Sequence, residues 1–243
     1  MLRTAGQQIM DVYAMGAQGA EVEWKQDSSP LTLADRRSHD YICSQLTLFN
    51  HAIPIMSEES AQLPFEERRE WSRYWCLDPL DGTKEFIKRN DQFTINLALI
   101  EEEAPTIGFI HIPVSGHTYW AMKGRGAFLD DGISSTPIQA NKKSIGWVAI
   151  GSNSHADPHD EEILRQFPIS DFVKAGSALK FCHIASGSAD VYYRKGPTME
   201  WDTAAGHILV EEAGAVFKYL DSTGRNYNKK NLVNPSFLVH LDV

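Results

Sequence analysis

The residues best suited to chemistry lie in one segment, Leu77-Asp78-Pro79-Leu80-Asp81-Gly82-Thr83-Lys84-Glu85-Phe86. The apolar run Tyr74-Trp75-Cys76-Leu77 reads as a strand that delivers Asp78 to its C-terminal edge. Pro79 has no N–H and a fixed φ, so the strand is expected to end there in a turn. Asp81-Gly82 then opens a turn or a helix. Such a turn can aim the carboxylates of Asp78 and Asp81 and the carbonyl of Leu80 at one point. Three oxygens at one point suit a hard cation such as Mg²⁺. The N–H groups of Gly82 and Thr83, at the positive end of the next element, suit a phosphate oxygen. On its own, Asp-Pro-x-Asp-Gly is also an ordinary turn sequence.

Three further acidic positions share this placement at the ends of elements. Glu58-Glu59 follows the strand-like run Ile53-Pro54-Ile55-Met56. Asp202, in Glu200-Trp201-Asp202-Thr203-Ala204-Ala205-Gly206-His207, stands just before a helix, and Asp35 stands at the start of another. Taken singly they read as a solvated acidic loop and two N-caps. Taken together they are carboxylates that folding would bring to one place. Converging carboxylates repel, and burying them is costly unless cations compensate. A two- or three-metal phosphoryl-transfer site needs this residue set.

The elements that must position these groups change character near residue 140. Ile9, Met10, Val12 and Tyr13 share one helix face that Gly16 to Gly19 ends. Asp27-Ser28-Ser29-Pro30 is a turn and Leu31-Thr32-Leu33 a linker, before a helix from Asp35 to about Phe49. Residues 61–71 are strongly charged and predicted to be exposed. Phe93 to Ile100, Thr106 to Ile112 and His117 to Met122 are strand-like, with tight turns at Gly124 to Phe128 and at Asp131-Gly132. The polar, proline-containing stretch Thr136 to Ser144 is the best boundary. Beyond it come a strand (Trp147 to Gly151), helices (Asp160 to Gln166, Ala178 to Ser186), a strand (Ala189 to Tyr193), a helix (Thr203 to Ala213) and a strand (Ala215 to Phe217). The pattern predicts a layered α/β sandwich. Its N-terminal α+β part (1–140) carries most of the acidic residues, and its C-terminal α/β part (141–243) carries Asp202.

Composition limits the alternatives. A chain of 243 residues with 42% hydrophobic residues can bury a core without staples. With 23 Lys and Arg against 32 Asp and Glu, the net charge is −9, which opposes nucleic-acid binding and attraction to anionic membranes. No apolar run approaches the ~20 residues of a membrane span, and no signal peptide is visible. Cys43, Cys76 and Cys182 are far apart and are expected to be reduced thiols in apolar surroundings of a cytoplasmic protein.

Three motifs in this order, Glu58-Glu59-Ser60, Asp78-Pro79-Leu80-Asp81-Gly82-Thr83 and Trp201-Asp202-Thr203-Ala204-Ala205-Gly206, resemble the lithium-sensitive, magnesium-dependent phosphomonoesterases that include inositol monophosphatase and fructose-1,6-bisphosphatase. The resemblance spans essentially the whole chain. It is strongest to the bisphosphate-nucleotidase branch, through Lys84-Glu85-Phe86-Ile87-Lys88-Arg89-Asn90, Ser154-His155-Ala156-Asp157, Gly176-Ser177-Ala178-Leu179-Lys180-Phe181-Cys182 and Gly196-Pro197-Thr198. It implies an α-β-α-β-α sandwich and hydrolysis of the 3′-phosphate of adenosine 3′,5′-bisphosphate to AMP. 3′-Phosphoadenylyl sulfate stays open as a second substrate, and the implied role is nucleotide recycling in sulfur metabolism.

The resemblance also implies roles for residues. Glu58, Asp78 and the Leu80 carbonyl would hold one Mg²⁺, and Asp78, Asp81 and Asp202 a second, with a third ion open near Asp35. Asp35 and Thr83 would take a proton from the attacking water, and Gly82 and Thr83 would contact the phosphate. Glu58, Lys84, His155, Ser177, Lys180, Arg194 and the metal ligands Asp81 and Asp202 would line the nucleotide site. Asn153 stands where relatives tend to carry a basic residue. An inositol monophosphatase-like phosphatase and a non-catalytic nucleotide or metal sensor are the alternatives. Monomer and homodimer, and a peripheral place on the cytoplasmic face of a membrane, are left open.

Overall fold

The computed structural model describes residues 1–16, 22–24, 30–141, 145–152, 162–220 and 226–242. Helix α1 (Leu2–Ala14) is followed by a short antiparallel pair, β1 (Val22–Trp24) and β2 (Pro30–Thr32), and by helix α2 (Leu33–Asn50). Strands β3 (Ile55–Ser57), β4 (Arg73–Asp81), β5 (Thr94–Glu101), β6 (Ala104–Ile112), β7 (His117–Met122), β8 (Gly126–Asp130) and β9 (Ser135–Ile138) form a seven-stranded sheet in chain order. Only β3 and β4 pair in parallel in it. The one-turn helices α3 (Phe65–Arg68) and α4 (Thr83–Lys88) flank β4. A second sheet, in the order β11-β10-β12-β14-β13, uses β10 (Trp147–Ser152), β11 (Ile169–Ala175), β12 (Val191–Arg194), β13 (Ala215–Tyr219) and β14 (Phe237–Leu241). Helices α5 (Leu179–Ala185) and α6 (Glu200–Glu212) lie between the two sheets.

Strand alternation explains the layering. On β4 and β5, Trp75, Leu77, Ile95, Leu97 and Leu99 face α1 and α2, where Ile9, Val12, Ile42 and Leu46 meet them. Tyr74, Cys76, Ala98 and Ile100 face the other way, toward Ala204, Ala205, Ile208 and Leu209 of α6. A sheet covered on both faces needs near-continuous apolar strands, and the run 95–100 is one. The small residues of α6 let it lie close to the sheet. A Cβ at Gly108 on β6 would come within 2.7 Å of the Ala205 carbonyl oxygen. On the second sheet, Phe237 and Tyr192 face Phe181 of α5. His240, on the opposite face of β14, touches Phe167, so residues 162–167 cover the outer side. The order is helix, sheet, helix, sheet, helical segment. No helix among the described residues is long and apolar enough to cross a membrane.

Several elements differ from the sequence reading. Leu31-Thr32 belongs to strand β2 and is not a linker, because its partner β1 supplies a pairing that no local pattern signals. Strand β4 does not stop at Pro79 but runs through it to Asp81. Helix α6 begins at Glu200, so Asp202 lies inside its first turn. The segment 126–130 is strand β8 rather than a turn, and β9, β11 and β14 went unread because they are short or form an exposed edge. The charged stretch 61–71 is not wholly exposed. Arg68 is only 3% exposed and donates to Leu63 O, Lys229 O, Lys230 O and Asn228 Oδ1. The cysteines are free thiols, Cys76 and Cys182 buried and Cys43 half-buried.

Candidate active site

Strand β4 delivers two acidic residues through an irregularity. In its pairing with β5, Asp78 faces Asn96 and Asp81 faces Thr94, so β4 has one residue more than its partner between these pairs. That is a bulge, and it is where a central strand tolerates a proline. Asp78 is 1% exposed, and its Oδ1 accepts the Leu80 N–H at 3.0 Å. Helix α2 braces the bulge from below: Ser38 Oγ donates to the Pro79 carbonyl at 2.7 Å. Gly82, at φ 92°, turns the chain into α4, whose first residue is Thr83.

Asp35 and Thr83 meet. Thr83 Oγ1 lies 3.0 Å from Asp35 Oδ1 and 3.2 Å from the Leu80 carbonyl, and its single proton can go to either. Asp35 is not the N-cap of α2. Thr32 is, and Asp35 is the third helical residue of a capping box, its Oδ2 accepting the Thr32 N–H at 2.7 Å and the Thr32 hydroxyl. Burial raises the Asp35 carboxyl to about 6, against the lowering effect of the Thr32 and Thr83 hydrogen bonds.

Asp202 comes from the other half of the chain. Its Oδ2 accepts the Met199 N–H at 2.8 Å in the first turn of α6. Glu58 follows β3, half-buried, its N–H donating to Leu77 O. Glu58, Asp78, Leu80, Asp81, Gly82, Thr83 and Asp202 all line one cavity of about 270 Å³. Asp78 is held well above the usual carboxylate range, first by burial and then by the charges of Glu58, Asp81, Asp202 and Asp35. Asp202 is raised likewise, by burial, Asp81 and Glu58. Four carboxylates gathered on one cavity are a donor set suited to a hard, oxygen-loving divalent ion. Among the described residues no three acidic, His or Cys side chains close into a cage by themselves. A backbone carbonyl, that of Leu80, adds a donor.

The same cavity holds cationic side chains. Lys84, Ser177, Lys180, Tyr192 and Arg194 line it. Lys180 is 6% exposed, donating to the carbonyls of Ser177 at 2.6 Å and Ala175 at 3.3 Å, its ammonium over the Tyr192 ring. Burial lowers it to about 8, with Asp81 pulling the other way. Arg194 ends β12 half-buried. Ser177 stands two residues before α5, not at its first turn, and its hydroxyl is turned to Asp81 and Thr94. His155 and Asn153 lie outside the described residues.

Sequence reasoning missed the residues that hold the others. Thr94 and Asn96, both buried, stand on β5 beside Asp81. The signal was there, two polar residues at period two in an otherwise apolar strand. Ser38 sits three residues after Asp35, on the same side of α2. Glu200, fully buried, receives the N–H groups of Asn228 and Lys229, the Tyr74 hydroxyl and the Lys229 ammonium, and so fixes the start of α6 two residues before Asp202.

Comparison with known proteins gives the following. The profile of the Inositol monophosphatase family matches residues 1–241. The 3′(2′),5′-bisphosphate nucleotidase CysQ of Salmonella typhimurium is 43% identical over 244 residues, covering 98% of this chain and 96% of its own. That of Escherichia coli K12 is 41% identical over 246 residues, covering 99% and 97%. Among solved structures, CysQ from Bacteroides thetaiotaomicron superposes with a TM-score of 0.85 at 36% identity, over 99% of this chain and 94% of that one. A Thermotoga maritima IMPase superposes with a TM-score of 0.79 at 26% identity, over 98% and 88%.

The electrostatics give a direct prediction. A carboxyl whose folded pKa is raised costs stability once ionised, and the cost vanishes as pH falls and the proton returns. One pKa unit is worth about 1.4 kcal/mol. Asp78→Asn is therefore expected to raise the Tm of the cation-free protein at about pH 7.5 by roughly 3–6 °C, and by progressively less toward about pH 4. It should also reduce any Tm rise produced by millimolar divalent cation. Calorimetric scans check both, and a variant no more stable than wild type without cation contradicts the reading.

Proposed function

The chain belongs to the inositol monophosphatase family, and from that premise we propose that it is a metal-dependent 3′(2′),5′-bisphosphate nucleotidase. Its substrate in this reading is adenosine 3′,5′-bisphosphate, from which it removes the 3′-phosphate to leave AMP. 3′-Phosphoadenylyl sulfate, with the same 3′-phosphate, is a second candidate. The observation that carries the proposal is one cavity lined both by carboxylates and by cationic side chains. Glu58, Asp78, Asp81 and Asp202 line it together with Lys180 and Arg194, and Thr83, also in the lining, donates to Asp35.

Glu58, Asp78, the Leu80 carbonyl, Asp81 and Asp202 would hold magnesium, as two or three ions. When bound, such ions lower the pKa of water and neutralise charge on the phosphoryl oxygens. The chain supplies the proton path. Thr83 donates to Asp35, which leaves the hydroxyl oxygen as an acceptor for a proton of the attacking water. As Thr83 takes that proton, its own passes to Asp35 Oδ1. A carboxylate raised to about 6 by burial is a stronger acceptor than one in water, and is still ionised at neutral pH. The N–H groups of Gly82 and Thr83 meet the scissile phosphate. Lys84, exposed at the rim, adds positive charge.

In this reading the 5′-phosphate meets Lys180 and Arg194. Lys180 gives two of its three N–H donors to carbonyls, which aims the third. A ligand anion restores the charge that burial disfavours. Arg194 can bind phosphate through two parallel N–H groups. The carboxylates and their ions would serve any phosphate monoester, so discrimination rests with Lys180 and Arg194.

Three measurements test the reading. Phosphate release is expected to be Mg²⁺-dependent, with a higher kcat/KM for adenosine 3′,5′-bisphosphate than for inositol 1-phosphate or fructose 1,6-bisphosphate. Preference for inositol 1-phosphate contradicts the nucleotide assignment, and absence of turnover contradicts an enzyme. Lys180→Met, close in volume, should lower kcat/KM for adenosine 3′,5′-bisphosphate by about 10–100-fold, the worth of a hydrogen bond to a charged group. It should leave adenosine 3′-monophosphate nearly unaffected. Wild-type kcat/KM for the bisphosphate should decline above about pH 8, as free Lys180 loses its proton. Equal losses on both nucleotides would remove Lys180 from the 5′-phosphate site.

A further inference from the structure

We infer that Ser177 is a positioning residue for the cation site: its hydroxyl, delivered from the second half of the chain, holds the carboxylate of Asp81 so that one oxygen is left for a cation. The inference rests on the reading of Asp81 as a cation ligand.

The geometry is a small, partly buried polar network between the two halves of the chain. Asp81 Oδ2 accepts from Ser177 Oγ at 2.9 Å and from Asn96 Nδ2 at 3.0 Å. Two donors use both lone pairs of that oxygen, and Oδ1 is the oxygen left. Behind them, Thr94 Oγ1 lies 2.5 Å from Ser177 Oγ and 2.9 Å from Asn96 Oδ1. Thr94 has one proton and can give it to either. Whichever it chooses, Asn96 must turn its amide NH₂ toward Asp81, because a carbonyl cannot donate to a carboxylate.

The backbone is shaped to bring Ser177 there. Its φ is 53°, in the left-handed region that a residue with a Cβ seldom occupies. Strain of this kind persists where the surroundings over-determine it, and they do so here. Gln92 Oε1 accepts the Gly176 N–H at 2.7 Å, pinning the residue before. The Ser177 carbonyl receives the Lys180 ammonium, pinning the residue from the other side. Gly82 makes room, since a Cβ there would sit 3.3 Å from Ser177 Cβ. A serine serving only as a phosphate ligand would aim its proton at the phosphate. This one spends its proton on Asp81, and to donate to a phosphate it would have to release the carboxylate.

The test is titration of nucleotide-free protein with Mg²⁺ alone, followed by calorimetry, beside steady-state kinetics. Groups that orient metal-ligating carboxylates are typically worth 10–100-fold in metal affinity, so Ser177→Ala should weaken Mg²⁺ binding by about tenfold or more. In an Asp81→Asn background the same substitution should add nothing. Thr94→Val, nearly isosteric, should weaken binding by about three- to tenfold, and it carries the test if Ser177→Ala does not fold. Unchanged Mg²⁺ affinity in Ser177→Ala, with a raised KM for the nucleotide, would make Ser177 a substrate ligand and overturn the inference alone. A wild-type protein that takes up no Mg²⁺ would overturn the cation reading of Asp81 as well.

Discussion

Mutual repulsion among buried carboxylates is the constraint on which this structure depends. Asp78 and Asp202 are each pushed toward their neutral forms by burial and by acidic neighbours. No fold gains stability from that arrangement by itself. It persists because each carboxylate is held by a rigid element with a strong local reason to be where it is. Asp78 sits in the bulge of a central strand, Asp81 closes that bulge, Asp202 caps the first turn of a helix packed between two sheets, and Glu58 leaves a strand paired to β4. The apolar core supplies the stability and the site consumes part of it, the usual relation between a scaffold and a strained functional site.

The site spans the division of the chain. Residues before 140 build the larger sheet and residues after 146 build the smaller, yet α6 packs on the larger sheet and carries Asp202 into it. Polar groups tie the halves together. Ser177 reaches Asp81, Gln92 reaches the Gly176 amide, Arg68 binds the 228–230 segment, and Tyr74 donates to Glu200. Such networks are costly if half satisfied and rigid if complete. Asp81, Gly176 and Ser177 line the cavity that holds the other acidic residues.

The acidic residues were legible in the sequence because each stands at the end of an apolar element, where both strand and helix periodicity break. Asp78-Pro79-x-Asp81-Gly82 signals a change of direction, and the Ala204-Ala205-Gly206 run signals close packing. The bulge was not legible. Proline reads locally as a stop, and only the partner β5 shows that β4 continues with one extra residue. The caps were displaced for a similar reason. Asp35 and Asp202 look like N-caps, but each is a third helical residue reaching back to the cap position, which a sequence cannot distinguish without knowing where the helix begins. The resemblance places Lys180 in the nucleotide site, but its burial under the carbonyls of Ala175 and Ser177 and the ring of Tyr192 carries no local sequence signal. Thr94, Asn96 and Ser38 carry no motif. Their meaning lies in what stands opposite them.

The central claim is that the carboxylates of Glu58, Asp78, Asp81 and Asp202 are held together for divalent cations. Anomalous diffraction from crystals grown with Mn²⁺ and AMP tests it most directly. The account predicts anomalous peaks within coordinating distance of Asp78, Asp81 and Asp202, with AMP phosphate toward Lys180 and Arg194. Crystals with AMP bound in the cavity but no anomalous density among those carboxylates would contradict it.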